Sequence, residues 1–193
     1  MSRQRNSTHP NARRFVTLKG KAYTLIGGAP EPGAAAPEFV TVDRDLCTIA
    51  SSALKGRPCL IASVLSLDTP VCSAQTRRLN QEALDLGQDA HVVTVSMDLP
   101  FALHRWHDRE GDVRVLLLSD HRDASFGTAY GLLIGELHLL ARAVFVTDAR
   151  GILRHREVVR DLSEQPDYDA ALDVLCRLSQ GHHASREPGT VSN

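Results

Sequence analysis

The stretch Cys59-Leu60-Ile61-Ala62-Ser63-Val64-Leu65-Ser66-Leu67-Asp68-Thr69-Pro70-Val71-Cys72 decides the fold class. Its first half is a nearly unbroken apolar run, the pattern of a strand buried on both faces. Its second half opens a helix. Thr69 is a preferred N-cap type, and Pro70 stands where proline is favoured, at the first helical position. Helical spacing continues over residues 70–86, with Val71, Leu79, Ala83 and Leu86 as expected core contacts. Residues 91–96 read as a second central strand, 100–106 as a short helix opened by Pro100, and 113–118 as a third strand.

Upstream, Phe15-Val16-Thr17-Leu18 and Tyr23-Thr24-Leu25-Ile26 flank Lys19-Gly20-Lys21, a hairpin signal. A Gly/Ala/Pro loop covers residues 27–37, and 39–42 make a short strand. Downstream, 142–147 and 152–159 surround Asp148-Ala149-Arg150-Gly151, a second hairpin signal. Residues 168–178 close the pattern as an amphipathic helix. Strand–helix alternation in the middle requires a parallel core, to which the late hairpin adds antiparallel strands. The expected class is α/β: a mixed sheet flanked by helices, with an N-terminal β-hairpin. One domain is expected at 14–180, between a flexible N-terminus at 1–13 and a flexible tail at 181–193.

Composition narrows the function. The chain has 193 residues, 42% of them hydrophobic, enough for a packed core. Lys and Arg number 22 against 23 Asp and Glu, a net charge of −1. That balance excludes a broad electrostatic pull toward nucleic acid or an anionic membrane. No apolar run approaches the ~18–20 residues of a membrane span, and no apolar segment follows the basic start, so no secretory signal is read. Cys47, Cys59, Cys72 and Cys176 form no Cys-x-x-Cys pair and are too few for a disulfide scaffold. The expectation is a cytoplasmic protein with reduced thiols.

One cysteine stands apart. Cys72 falls at the third helical position, beside unpaired backbone N–H groups and the positive end of the helix dipole. That placement favours the thiolate, the nucleophilic form. A helix terminus contributes about 0.3–1 kcal/mol, up to ~2 when partly buried. A cation or hydrogen bonds to sulfur must supply the rest. The Thr69 hydroxyl is one donor in reach along the chain, and an arginine from elsewhere would complete the set. The competing reading is a buried cysteine acting as a small hydrophobe.

The segment Ser66-Leu67-Asp68-Thr69-Pro70-Val71-Cys72 resembles the active-site loop of the thiol peroxidase branch of the peroxiredoxins. The blocks Pro32-Gly33-Ala34-Ala35-Ala36-Pro37-Glu38-Phe39, Ser96-Met97-Asp98-Leu99-Pro100-Phe101-Ala102 and Leu139-Leu140-Ala141-Arg142-Ala143-Val144-Phe145-Val146 carry the same resemblance in the same order. It covers roughly residues 15–178. The resemblance implies a thioredoxin-like fold and a homodimer. It implies that Cys72 is the peroxidatic cysteine and that Thr69 hydrogen-bonds thiolate and peroxide. Arg142 is implied to hold the thiolate and polarise the peroxide. The implied activity is reduction of hydrogen peroxide and organic hydroperoxides with electrons from thioredoxin or a low-molecular-weight thiol, with no metal or organic cofactor. The other reading is a peroxiredoxin-fold redox sensor or interaction protein with little turnover.

Two positions depart from the family pattern. Leu65 stands where the motif carries proline, four residues before the threonine. His107 stands where the resolving cysteine follows the Asp-Leu-Pro-Phe-Ala block. The expected route is therefore one-cysteine chemistry with an external thiol; Cys47, Cys59 or Cys176 as resolver is the other option. His104 and His107, three apart, are too few for a metal site.

Overall fold

The computed structural model describes residues 14–184. The flexible ends expected at 1–13 and in the tail beyond 184 lie outside the described residues. Residues 181–184 of that tail continue the last helix.

The central element is strand β5 (Cys59–Ser63), buried throughout. It pairs in parallel with β6 (His91–Ser96), which pairs in parallel with β7 (Leu116–Ser119). Antiparallel strands complete both edges. On one side lie β10 (Ala143–Thr147) and β11 (Leu153–Val158); on the other lie β3 (Val40–Asp43) and β4 (Thr48–Ala50). The seven-stranded order is β11-β10-β5-β6-β7-β3-β4. The hairpin of β1 (Arg14–Leu18) and β2 (Lys21–Ile26) joins β8 (Leu133–Ile134) and β9 (Leu139–Leu140) in a second, four-stranded sheet. Among the described residues the α-helices are α1 (Pro70–Leu86), α2 (Pro100–Glu110), α3 (Ser125–Tyr130) and α4 (Tyr168–Ala184), beside a short 3-10 turn at Ser51–Leu54. The expected mixed α/β arrangement is present, and among the described residues no helix is long and apolar enough to cross a membrane.

Side-chain alternation on the strands divides the core into two layers. Leu60, Ala62 and Val64 join Val144 and Val146 beneath α1, α2 and α4, in one cluster with Cys72 and Leu79. Cys59, Ile61, Ala143 and Phe145 face the opposite layer, against the N-terminal hairpin and α3. There Phe39, Phe126, Tyr130 and Phe145 pack edge to face at centroid separations of 4.9–6.5 Å, the geometry aromatic quadrupoles favour.

Several local expectations shift. Val71, expected in the core, is 43% exposed on the first turn of α1. Strand β7 starts at Leu116 rather than 113, because Asn80 Oδ1 accepts from the amides of Arg114 (2.6 Å) and Val115 (3.0 Å). A side chain thus replaces the ladder there. Helix α2 runs four residues past its expected end and stops at Gly111, whose φ of 86° a Cβ would resist.

Candidate active site

The junction of β5 and α1 is built by a tight turn. Ser66 O accepts from both the Thr69 amide (3.1 Å) and the Thr69 hydroxyl (2.9 Å), and Ser66 Oγ accepts from the Asp68 amide at 3.1 Å. Thr69 is the N-cap residue in extended backbone, and Pro70 occupies the first helical position. Both positions agree with the sequence. The Thr69 hydroxyl, however, donates to Ser66 O rather than capping α1 or reaching the sulfur. The turn places that carbonyl nearer, and no side chain caps the helix start.

Asp98, at the end of β6, anchors this turn from outside. Its Oδ2 accepts from the Leu67 amide at 2.7 Å and from Ser96 Oγ at 2.9 Å. Its carbonyl accepts from Ser119 Oγ, whose partner is His121 Nδ1. Helix α2 is fastened alongside. The buried Trp106 indole donates to Ser73 Oγ at 2.8 Å, Arg105 meets Asp68 at 3.3 Å, and Arg77 pairs with Glu110.

Cys72 lies in the first turn of α1, fully buried. Arg142 immediately precedes β10 and is 4% exposed. Strand alternation puts it in register with Val144 and Val146, on the face that α1 covers. Its guanidinium donates to Gln75 Oε1 and, at 3.2 Å, to Leu162 O. Gln75 is one helical turn after Cys72, so the two share a face of α1. Arg142 and Cys72 are thus brought to one buried site, but through Gln75: among the described residues no guanidinium nitrogen is hydrogen-bonded to the sulfur.

Sequence reasoning missed Gln75, whose signal was its three-residue spacing from Cys72. It also missed Tyr168, read only as the first residue of the closing helix. Tyr168 is 2% exposed and packs in the same cluster as Cys72. Burial pushes its phenol up, with the Arg142 charge acting against the shift and Cys72 with it.

The remaining cysteines are elsewhere. Cys47 is exposed on the β3–β4 turn, and Cys176 is partly buried on α4. Buried Cys59, its thiol pushed up by desolvation, faces the other core layer. His107, at the position of the family's resolving cysteine, contacts Asp108 at 3.4 Å. His104 contacts Asp108 and Asp45 at 3.3 and 3.8 Å. Among the described residues no group of three or more metal-ligating side chains forms. Leu65 is partly buried between the two core layers.

The arrangement resembles known proteins over most of its length. Residues 31–172 match the Redoxin family. The "Thiol peroxidase" of Listeria innocua is 46% identical over 159 residues, covering 82% of this chain and 96% of that relative. The "Thiol peroxidase" of Bacillus subtilis is 44% identical over 163 residues, covering 84% and 97%. Among solved structures, a peroxiredoxin-like protein from Aquifex aeolicus superposes with a TM-score of 0.79 at 37% identity, covering 86% of this chain and 97% of that one. The thiol peroxidase from Chromobacterium violaceum gives 0.73 at 26% identity, covering 84% and 96%. With its thioredoxin-like sheet and a buried cysteine in the first turn of α1, the chain belongs to the Redoxin family, in the thiol peroxidase branch of the peroxiredoxins.

Proposed function

We propose that the protein is a thiol-dependent peroxidase in which Cys72 is the attacking cysteine. The observation that carries this reading is one buried site holding Cys72 in the first turn of α1 and a buried arginine that has no acidic partner among the described residues. The Cys72 thiolate attacks the terminal oxygen of a hydroperoxide. An S–O bond forms, the O–O bond breaks, and the electron pair leaves on the second oxygen, which takes up a proton as alcohol or water. Sulfur loses two electrons and is left as sulfenate, which gives sulfenic acid on protonation. Arg142 stabilises charge as it moves from sulfur onto oxygen. The Thr69 hydroxyl, its hydrogen committed to Ser66 O, offers its lone pairs to the peroxide O–H.

An external thiol, from thioredoxin or a small molecule, then reduces the sulfenic acid. Three observations support this one-cysteine route. Cys59 starts β5 and faces the layer opposite Cys72. Cys176, on α4, is a free thiol, as is exposed Cys47 on the β3–β4 turn. Helix α2, which carries His107, is held to α1 and the active-site turn at Trp106, Glu110 and Arg105. A homodimer and a cytoplasmic setting complete the proposal; exposed Val71, Leu99 and Phe101 at the starts of α1 and α2 support the first, and four free cysteines the second.

The test is thiol-dependent peroxide consumption by the wild type and Cys72→Ser, with dimedone trapping after one equivalent of peroxide. The expected result is turnover only in the wild type and an adduct on Cys72 without a disulfide. Equal rates in the two proteins would refute the peroxidase reading. Stoichiometric oxidation without turnover would favour the sensor.

A further inference from the structure

The surroundings of Cys72 hold more hydrogen-bond donors than the protein supplies acceptors for. Gln75 Nε2, Arg142 Nε and the Tyr168 hydroxyl are all buried, and among the described residues no group accepts from them. They make up half of the six such side-chain atoms among the described residues. A buried donor without an acceptor is destabilising, so three in the core region that holds Cys72 need an explanation.

Geometry aims them. A guanidinium only donates, so Gln75 must turn its oxygen to Arg142 and its NH2 hydrogens away from it. Helical side chains lean toward the N-terminus, which carries the Gln75 amide back over the Cys72 turn. Tyr168 opens α4 and belongs to the same buried cluster as Cys72 and Leu79. The neighbouring Asp169 pairs with Arg78 at 2.5 Å, pinning that end of α4 to α1. Burial keeps the phenol protonated, so it serves as a donor and not as an acid. A set made only of donors fits a ligand that only accepts.

We propose that the Tyr168 hydroxyl and the Gln75 amide are two further donors of the peroxidase site, aimed at the oxygen that passes from the peroxide to Cys72. The inference rests on Cys72 being the attacking cysteine. As the S–O bond forms and the O–O bond breaks, the transferred oxygen stays on sulfur as sulfenate. Its lone pairs accept from Tyr168 and Gln75, neither of which gives up its proton. The leaving oxygen takes the peroxide proton and departs as alcohol or water. Alkylation by iodoacetamide brings no such oxygen to the sulfur, and it separates the two roles.

The test compares wild type, Tyr168→Phe and Gln75→Met. Oxidation by hydrogen peroxide is followed by stopped-flow fluorescence of Trp106, the single tryptophan, whose indole is bonded to Ser73 beside Cys72. Iodoacetamide alkylation is measured across pH. The expected result for Tyr168→Phe is a fall of about tenfold or more in the peroxide rate, as for loss of one donor to developing negative charge, with alkylation and its pH profile within about twofold. In the wild type, one equivalent of peroxide shifts a tyrosine C–O infrared band, a shift missing from Tyr168→Phe. Parallel loss in both reactions, or no loss in either, would overturn the inference. If Tyr168→Phe fails to fold, an unshifted tyrosine band in oxidised wild type overturns it alone. A wild type inert to peroxide would instead refute the reading of Cys72.

Discussion

Arg142 is a buried cation whose hydrogen-bonded partners are two neutral oxygens, Gln75 Oε1 and Leu162 O. Removing such a charge from water costs several kcal/mol unless an anion offsets it, and among the described residues no carboxylate pairs with it. A Cys72 thiolate is the counter-charge the site can supply. Two unit charges ~5–7 Å apart at an effective dielectric of ~20 attract by about 2–3 kcal/mol. Cys72→Ser, a near-isosteric change that removes this anion, should therefore destabilise the fold by roughly that amount. Arg142→Met should also destabilise, since it strands two buried acceptors and leaves the thiolate alone. In the double variant both charges are gone. Its loss should fall short of the sum of the singles by about 2–3 kcal/mol, the range of directly coupled sites. Urea unfolding under reducing conditions measures all four corners, and thermal melts repeat it at about 2–4 °C per kcal/mol for a chain of this size. Cys59→Ser is the control, because Cys59 is equally buried but faces the other layer; it should show no coupling to Arg142→Met. Additivity within ~0.5 kcal/mol for Cys72 and Arg142 would refute charge compensation at this site.

Ser73→Ala leaves the buried Trp106 indole N–H without its acceptor. The expected loss is about 1–3 kcal/mol, read by urea unfolding, and an unchanged midpoint would deny that this bond fastens α2. Asp98→Ala frees the Leu67 amide and loosens the turn before Cys72. Small misplacements of reacting groups cost up to about 100-fold in rate, so kcat/KM for peroxide should fall by about tenfold or more. Asp98→Asn, which keeps an acceptor oxygen, should be milder, and wild-type rates in both would remove Asp98 from the site's support. His91 is half-buried; desolvation first, then the nearby Arg57, holds its pKa below the usual 6.5. The folded state thus resists protonation that the unfolded chain accepts, and stability should decline as pH falls below about 6.5. His91→Asn should flatten that decline in denaturation midpoints measured from pH 7.5 to 5; an unchanged slope would assign it elsewhere.

The sequence was most legible where local and tertiary demands agree. Residues 92–95 are all β-branched, and 91–96 became β6 with the expected bounds; Pro70 fixed the start of α1. It was least legible where pairing is distant and elements are short. Strands β8 and β9 have two residues each: β8 pairs with Leu25 and Ile26 of β2, over a hundred residues earlier, and β9 pairs only with β8. Helix α3 has six residues and follows Ala124, whose left-handed backbone no residue-type signal announces. Strand β4 is three residues on a sheet edge, too short for period-two alternation to register.

Arg142 and Cys72 were singled out by motif resemblance; what brings the first beneath the helix of the second is parity along two strands. Beneath α1, α2 and α4, β5 presents Leu60 and Ala62, with Val64 just after it, while β10 presents Val144 and Val146. Arg142 shares the even register of β10, so the alternation that buries valines also delivers a guanidinium to the face covered by Cys72's helix. The same rule sends Cys59 to the opposite layer. What parity does not fix is reach along the helix axis. Among the described residues the guanidinium's hydrogen bonds go to Gln75, one turn along α1 from Cys72, and to Leu162 O, not to the sulfur. An arginine and a cysteine matched by motif alone suggest direct contact. The helical rise and side-chain lean instead make Gln75 the link, so substitution at position 75 should alter how strongly Arg142 and Cys72 are coupled in the thermodynamic cycle above. A Gln75→Met background that left their coupling unchanged would show that the two charges interact through space without the amide.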